Sequence, residues 1–382
     1  MQEVTAALQL DKVALADNWI LGKELAKQHN CQIAVEDFDL DYDLDISVMG
    51  TDGTRTLLAY NDGKYENVTE AMGLDISALP KNKDDVEHIV APSGEKVPVS
   101  SRFSTAWIDI DNDGYPELIS ADRVFKNEQG KKFTDITKQS GLKFQPETMG
   151  ITVVDYDNDG FLDVYVVYQH GMGDDSKQAQ WIDDTNTGSV NFLFRNNGDS
   201  TFSDVTVATQ TTGGFRHSHA AVWFFHDDDI YPDVYIANDF GRNVLLKNCE
   251  KGKYFEDISA DSGADGFATS MGVVAGDVDN DGNSDLYVAN MFSKMGRRII
   301  QMVSEEDYEP QIYQQIIGSC AGNQLYCRDS KDGKYKDCGE IAGVNEVGWA
   351  WAPTMLDIDS DGWLDLYSTC GFMSFDHEKP DG

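Results

Sequence analysis

Five stretches place acidic residues at positions 1, 3, 5 and 9 of a short loop: DFDLDYDLD from Asp37, DIDNDGYPE from Asp109, DYDNDGFLD from Asp155, DVDNDGNSD from Asp277 and DIDSDGWLD from Asp357. Aspartates that alternate through a tight turn aim their carboxylates at one centre. The carbonyl of position 7 can add an oxygen, and Asp or Glu at position 9 completes the shell. A set of six to eight hard oxygen ligands suits calcium better than zinc or copper. The candidate ligands are Asp37, Asp39, Asp41, Asp43 and Asp45; Asp109, Asp111, Asp113, Tyr115 and Glu117; Asp155, Asp157, Asp159, Phe161 and Asp163; Asp277, Asp279, Asp281, Asn283 and Asp285; and Asp357, Asp359, Asp361, Trp363 and Asp365. About five Ca2+ ions are expected. Position 12, where an EF-hand needs a bidentate glutamate, is Val48, Ser120, Val166, Val288 or Ser368, which excludes that motif.

The elements that must hold these loops repeat with them. An apolar run precedes each loop and another follows, rich in Val, Ile, Tyr and Trp and bounded by Gly and Asp, so each copy reads as strand, acidic loop, strand. A third shared segment follows, as in RVFKNEQGKKFTDIT from Arg123 and NVLLKNCEKGKYFEDIS from Asn243, and reads as two more strands around an Asn/Gly turn. Four strands per unit is the content of a propeller blade. A degenerate sixth copy starts at Phe225, with Asp227, Asp229 and Asp233 at positions 3, 5 and 9. It lacks the first aspartate and has Ile230 where glycine belongs, so its metal binding is in doubt. The loop starts, 37 to 357, span 320 residues over five intervals, a mean of 64, which suits a four-stranded blade with insertions. The expected fold is all-β, a β-propeller of six to seven four-stranded blades with a short helical insertion.

Residues 31–382 form the expected propeller, and residues 1–30 an N-terminal extension or ring-closing segment. A polar insertion at 170–189 reads as a surface loop, and its Trp181 is placed either to stack on a sugar or to pin its own loop. In the second insertion, 295–317, Pro310 opens a helix with Ile312, Tyr313, Ile316 and Ile317 on one face, either a partner-binding finger or a helix packed on the domain. The charge is -37, with 67 acidic against 30 basic residues, and such a surface repels phosphate backbones and anionic lipid. Nucleic-acid binding and membrane insertion are excluded, since no window approaches the roughly 18 apolar residues of a spanning helix. The N-terminus has no export signal, yet the chain can be a trimmed form, so the missing signal does not argue for the cytosol.

The strand, D-x-D-x-D-G loop and strand in series resemble the FG-GAP/VCBS repeats of integrin-like β-propellers. Residues 267–299 and 322–367 are similar, more narrowly, to the ASPIC/UnbV and cartilage acidic protein group, and the resemblance covers about residues 31 to 376. It implies a calcium-stabilised propeller that is extracellular, attached to the cell surface or periplasmic, with no single conserved reaction. The expected function is a binding, adhesion or self-assembling scaffold for a protein or glycan ligand, with a homo-oligomer as one form. The alternative is a calcium-dependent polysaccharide lyase or hydrolase, for which Arg216, His217, His219 and His226 beside Asp227–Asp229 are the dense candidate cluster. The sequon Asn67-Val68-Thr69 offers a glycan acceptor, and six cysteines leave disulfides open, with Cys31 and Cys370 as a hypothetical clasp between the ends.

Overall fold

The computed structural model describes residues 7–8, 10, 32–50, 54–75, 87–90, 96–99, 104–145, 148–169 and 188–371. The N-terminal segment, Trp181 and Cys31 lie outside these residues, as does nearly all of the polar insertion. The described chain is all-β, and five four-stranded sheets carry most of it. The first runs β1 (Gln32–Glu36), β2 (Asp45–Met49), β3 (Arg55–Asn61), β4 (Lys64–Asn67). A separate pair, β5 (Glu87–Val90) and β6 (Lys96–Val99), precedes the second sheet, β7 (Thr105–Ile108), β8 (Glu117–Ser120), β9 (Arg123–Asn127), β10 (Phe133–Asp135). The third holds β11 (Thr148–Val154), β12 (Asp163–Tyr168), β13 (Phe192–Asn196) and β14 (Phe202–Asp204). The fourth holds β15 (His217–Phe224), β16 (Asp233–Asp239), β18 (Val244–Cys249) and β19 (Tyr254–Asp257), with a small pair, β17 (Gly241–Arg242) and β20 (Phe267–Ala268), beside it in sequence. The fifth holds β21 (Ser270–Gly276), β22 (Asp285–Asn290), β23 (Gln324–Arg328) and β24 (Tyr335–Asp337). The last, β25 (Ala350–Leu356) with β26 (Asp365–Cys370), has two strands among the described residues.

Strand order in these sheets follows chain order, and neighbouring strands pair antiparallel, as consecutive hairpins require. The first and second strands of each repeat are joined by an acidic loop, so the repeat read from the sequence is also the unit of the sheet. The chain falls into two compact units, 1–153 with 194–203 and 373–382, and 154–193 with 204–372. In the first unit Phe38, Leu57, Trp107, Leu118, Phe125 and Phe133 form one buried cluster between the first and second sheets. In the other, Phe224, Tyr235, Leu245, Leu286, Val288 and Tyr326 do the same between the fourth and fifth. Burying each such side chain is worth about 1.5–3 kcal/mol, which makes sheet-on-sheet packing the main source of stability.

A polar device recurs after the outer strand. Asp135, Asp204, Asp257 and Asp337 each accept the N–H of the residue two places on, and open the short helices α1 (Thr137–Ser140), α2 (Thr206–Thr209), α3 (Ser259–Ser262) and α6 (Gly339–Ala342). The hydroxyls of Thr137, Thr206 and Ser259 then accept the N–H of Val124, Leu193 and Leu245. Asn67 and Thr69 repeat the arrangement, with Asn67 Oδ1 accepting from Thr69 and Thr69 Oγ1 accepting from Leu57 N–H. The sequon is therefore a copy of a structural turn.

The helical insertion contains two helices. In α5 (Pro310–Gly318), Ile312, Tyr313, Ile316 and Ile317 are half-buried and Gln315 is buried, and a Cβ on Gly318 would meet Phe267 O, so this helix lies against β20. It is a packed helix. The preceding α4 (Lys294–Ile300) has no buried residue. One disulfide joins Cys327 to Cys338 across β23 and β24, while Cys370, proposed as half of a clasp, is a free thiol donating to Val347 O at 3.0 Å.

Asparagines on the third strands bind one sheet to the next. Asn127 Nδ2 donates to Phe38 O at 2.8 Å, Asn196 Nδ2 to Ile110 O at 2.8 Å and Asn248 Nδ2 to Tyr156 O at 2.9 Å, each acceptor being position 2 of the preceding acidic loop. Asn248 also donates to Pro232 O and accepts from Gly252 N. Asn248→Ala strands buried backbone groups in two sheets, and each costs about 1–3 kcal/mol. A urea denaturation series should show a loss of at least about 2 kcal/mol; an unchanged midpoint would contradict the linkage.

Candidate metal centres

The first, second, third, fifth and sixth acidic loops share one backbone. Position 1 accepts the N–H groups of positions 5 and 6 on its two oxygens, at 2.8–3.1 Å, and position 5 accepts that of position 7 at 2.8–3.0 Å. Positions 4 and 6 are left-handed, with φ of 55° and 90° at Asn112 and Gly114 and 57° and 89° at Asn280 and Gly282. Glycine takes that conformation without cost and asparagine with little. Tyr42, the departure at position 6 of the first loop, adopts φ 73° with its ring 97% exposed, so the loop keeps its shape under strain.

These turns gather the acids. One oxygen each from Asp109, Asp111 and Glu117 lies within 4.8 Å of the others, and the same holds for Asp155, Asp157 and Asp163, and for Asp277, Asp279 and Asp285. In the first and last loops the close set is Asp37, Asp39 and Asp41, and Asp357, Asp359 and Asp361. The acid nearest the pair at positions 1 and 3 is therefore position 9 in three loops and position 5 in two. Each set can hold a cation, and the donors are all hard oxygens, as calcium prefers. Asp39 Oδ1 and Asp111 Oδ1 are buried without a hydrogen-bond partner, which is costly unless a cation completes them. The space behind position 3 is tight: a Cβ on Gly130, whose φ is 71°, would come 2.8 Å from Asp39 Cβ.

Position 9 does more than complete a cluster. One oxygen accepts the N–H of position 2 in all six loops, at 2.8–3.2 Å. The other accepts an N–H from the third strand, from Tyr60 to Asp45, Asn127 to Glu117, Asn248 to Asp233 and Arg328 to Asp285. Each oxygen keeps a second lone pair for a cation. Burial pushes Asp45, Glu117 and Asp233 up to about 7 against these hydrogen bonds, and raises Asp285 as well.

The copy from Phe225 keeps the clamp and loses the cradle. Asp233 accepts from His226 N and Asn248 N as in its relatives, but neither Asp228 nor Ile230 is left-handed, and Asp227 Oδ1 accepts from Asp229 N at 3.0 Å. The Lys247 ammonium pairs with Asp227. No three-acid set forms at this loop among the described residues.

The histidine cluster disperses. His226 is buried, with its ring 5.7 Å from that of Tyr335, while His217 and His219 stand at the other end of β15, about 20 Å away along the strand. His219 Nε2 lies 3.8 Å from Asp239 Oδ2, and burial pushes the imidazole down to about 4 and the carboxyl well up. They form a buried polar pair.

Comparison with known proteins agrees with the repeat. Residues 109–166 and 226–288 match the model of the FG-GAP-like repeat, and these segments span the loops from Asp109, Asp155 and Asp277 and nearly all of that from Phe225. The match is confined to these two segments. No curated protein sequence matches it. Among solved structures, a lectin of Agrocybe aegerita that recognises non-reducing terminal N-acetylglucosamine is 15% identical, over 89% of this chain and 74% of that one, with a TM-score of 0.44. The V. cholerae biofilm matrix protein Bap1 is 11% identical over 68% of this chain and 34% of its own, TM-score 0.35, and YCF48 bound to D1 peptide is 10% identical over 87% and 86%, TM-score 0.37.

Two outcomes follow from the loop geometry. Tyr42→Gly removes a left-handed aromatic residue from an exposed turn and should stabilise the protein by about 1 kcal/mol in chemical denaturation; a neutral or destabilising result would remove strain as the description of that turn. The raised carboxyls at position 9 hold their protons more tightly folded than unfolded. In chelator, the melting temperature should therefore fall as pH rises from about 4 to about 7, and excess calcium should flatten the fall, since ligation needs the ionised carboxylate.

Proposed function

We propose that this protein is a calcium-stabilised β-propeller of six or seven blades that works as a non-enzymatic scaffold binding protein or glycan, within the ASPIC/UnbV-like group of FG-GAP-repeat proteins. The observation that carries this reading is an acidic cradle in each of five sheets, with an unpartnered carboxylate oxygen buried at position 3 in the first two, Asp39 and Asp111. Each cradle would hold Ca2+ through positions 1, 3, 5 and 9 and the carbonyl of position 7. The bound ion would neutralise carboxylates packed within 4.8 Å of one another and so fix the loop that joins the first two strands. The chain's own groups do the rest: position 1 folds the turn, position 9 ties it to the third strand, and the third-strand asparagine ties it to the next sheet.

An extracellular, cell-surface or periplasmic setting fits this chemistry. Calcium sites of extracellular modules work at about 10⁻⁴–10⁻³ M, and a disulfide such as Cys327–Cys338 persists in oxidising compartments. A scaffold is favoured over a lyase or hydrolase because the histidine cluster divides between a buried packing site beyond the end of β15 and a buried pair near its start.

Calorimetry with and without excess EDTA tests the proposal. Chelation should lower the melting temperature by well over ten degrees and calcium should restore it, with elemental analysis giving about five ions per chain. The loop from Phe225 should stay empty. An unchanged melting curve in EDTA would sink the structural-calcium reading.

A further inference from the structure

The exposed apolar side chains of this acidic protein include three on one short helix. Met295 is 72% exposed, Ile299 60% and Met302 86%, and their spacing of four and three residues puts them in one stripe along α4 and the turn that ends it. A helix stripe of this kind ordinarily lies against its own domain, yet α4 has no buried residue and the packing is done by α5. The helix is nonetheless held in place: Ser293 caps it by accepting Gly296 N–H at 2.9 Å, and Arg297 pairs with Glu346. A fixed, solvent-facing methionine and isoleucine stripe is a binding surface.

Charge on either side of the stripe identifies its occupant. Lys294 and Arg298, one turn apart beside it, are exposed and have no ion-pair partner among the described residues, an unusual concentration of free positive charge in a chain of net charge -37. Immediately after Met302 the sign reverses, because the 3₁₀ turn Glu305–Asp307 and the following Glu309 are exposed and equally without partners. The patch is therefore positive at one end, apolar in the middle and negative at the other. A uniformly acidic or basic partner would be repelled by one half of it. A second copy related by a two-fold axis matches both halves, since in an isologous contact each element meets its complement twice.

We infer that the α4 patch is the homodimer contact of this protein, with the stripes of two copies packed antiparallel and Lys294 and Arg298 of each facing the 305–309 acidic turn of the other. The contact names one surface for the scaffold reading. It does not depend on which loops hold calcium, and its test keeps calcium in excess, so that failure of the dimer and failure of the calcium reading give separate results.

Sedimentation equilibrium of the full chain in calcium and near-physiological salt, at up to roughly 100 μM, should give twice the monomer mass. Ile299→Asp should weaken the dimer at least about tenfold, as should Arg298→Glu and Glu306→Arg singly. An equimolar mixture of the two charge-reversal variants should recover the dimer, because each copy then supplies the charge the other needs. These positions are exposed, so melting temperatures should match the wild type and show that the fold is intact. A wild-type monomer at the highest concentration would overturn the inference. So would charge-reversed variants that dimerise as well as the wild type, a mixture that fails to recover, or a dimer that appears only after residues 1–30 are deleted, which would mean that the chain's own N-terminus covers the stripe.

Discussion

At position 9 of every acidic loop but the last, a buried carboxylate accepts the N–H of position 2, and in four of the sheets it also accepts an N–H from the third strand. This fork makes a loop between the first two strands answer to the third. Without it the loop would be anchored only at its ends, and the cluster at positions 1, 3 and 5 would float on a hairpin. Desolvating such a group is expensive, and two backbone donors are what make it tolerable. The loop from Phe225 keeps the fork after losing position 1, the glycine and the left-handed turns. The clamp is thus separable from the gathered set of acids, and the clamp is the part the fold retains.

The clamp also transmits. Position 2, whose N–H it fixes, offers its carbonyl to the third-strand asparagine of the following sheet, in Phe38–Asn127, Ile110–Asn196 and Tyr156–Asn248. Position 4 reaches the next loop directly, Asn158 Nδ2 donating to Ile230 O at 2.8 Å and Asn280 Nδ2 to Gly362 O at 3.2 Å. A loop that loosens therefore withdraws hydrogen bonds from its neighbour, so loops in one unit should soften together. Repeat architectures usually spread stability over nearest-neighbour contacts, and here part of that contact is polar and centred on the acidic turns.

Much of this was legible in the sequence because the signals are local. Alternating acids, the glycine at position 6 and the apolar runs on either side identified loop and strands together, and Pro310 with its isoleucines marked α5. The clamp was not legible, since a ligand and a backbone acceptor call for the same residue type, and only the register of the third strand distinguishes them. Asn67-Val68-Thr69 reads as a glycan acceptor until Asp135-Ile136-Thr137 and Asp204-Val205-Thr206 are seen to fold alike. His226 belongs to a dense cluster in sequence, yet it stands at position 2 of its loop, where the other copies carry Phe, Ile, Tyr or Val, and it is buried as they imply. The exposed stripe on α4 carries no comparable signal, because a helix this short has neither a proline at its start nor a long amphipathic repeat to mark it.

The degenerate copy shows what the turn itself demands. Lys126 and Lys247 hold the same place, one residue before the third-strand asparagine, and their ammonium groups meet position 3 of the loop, Asp111 and Asp227. In the loop from Asp109 the lysine takes one oxygen of Asp111 and leaves Oδ1 unpartnered beside Asp109 and Glu117, so positive charge is still wanting. In the loop from Phe225 the aspartate of position 1 is gone, and although burial is the largest single influence on Asp227 and would raise it, the hydrogen bond and charge of Lys247 together with the Asp229 N–H outweigh burial, so that its carboxyl is lowered. Both loops carry four acids, Asp228 making up the number in the copy from Phe225. The acid at position 1 and the left-handed turns that it folds, rather than the number of acids or the turn's place in the sheet, therefore separate a loop that gathers a three-acid set from one that does not.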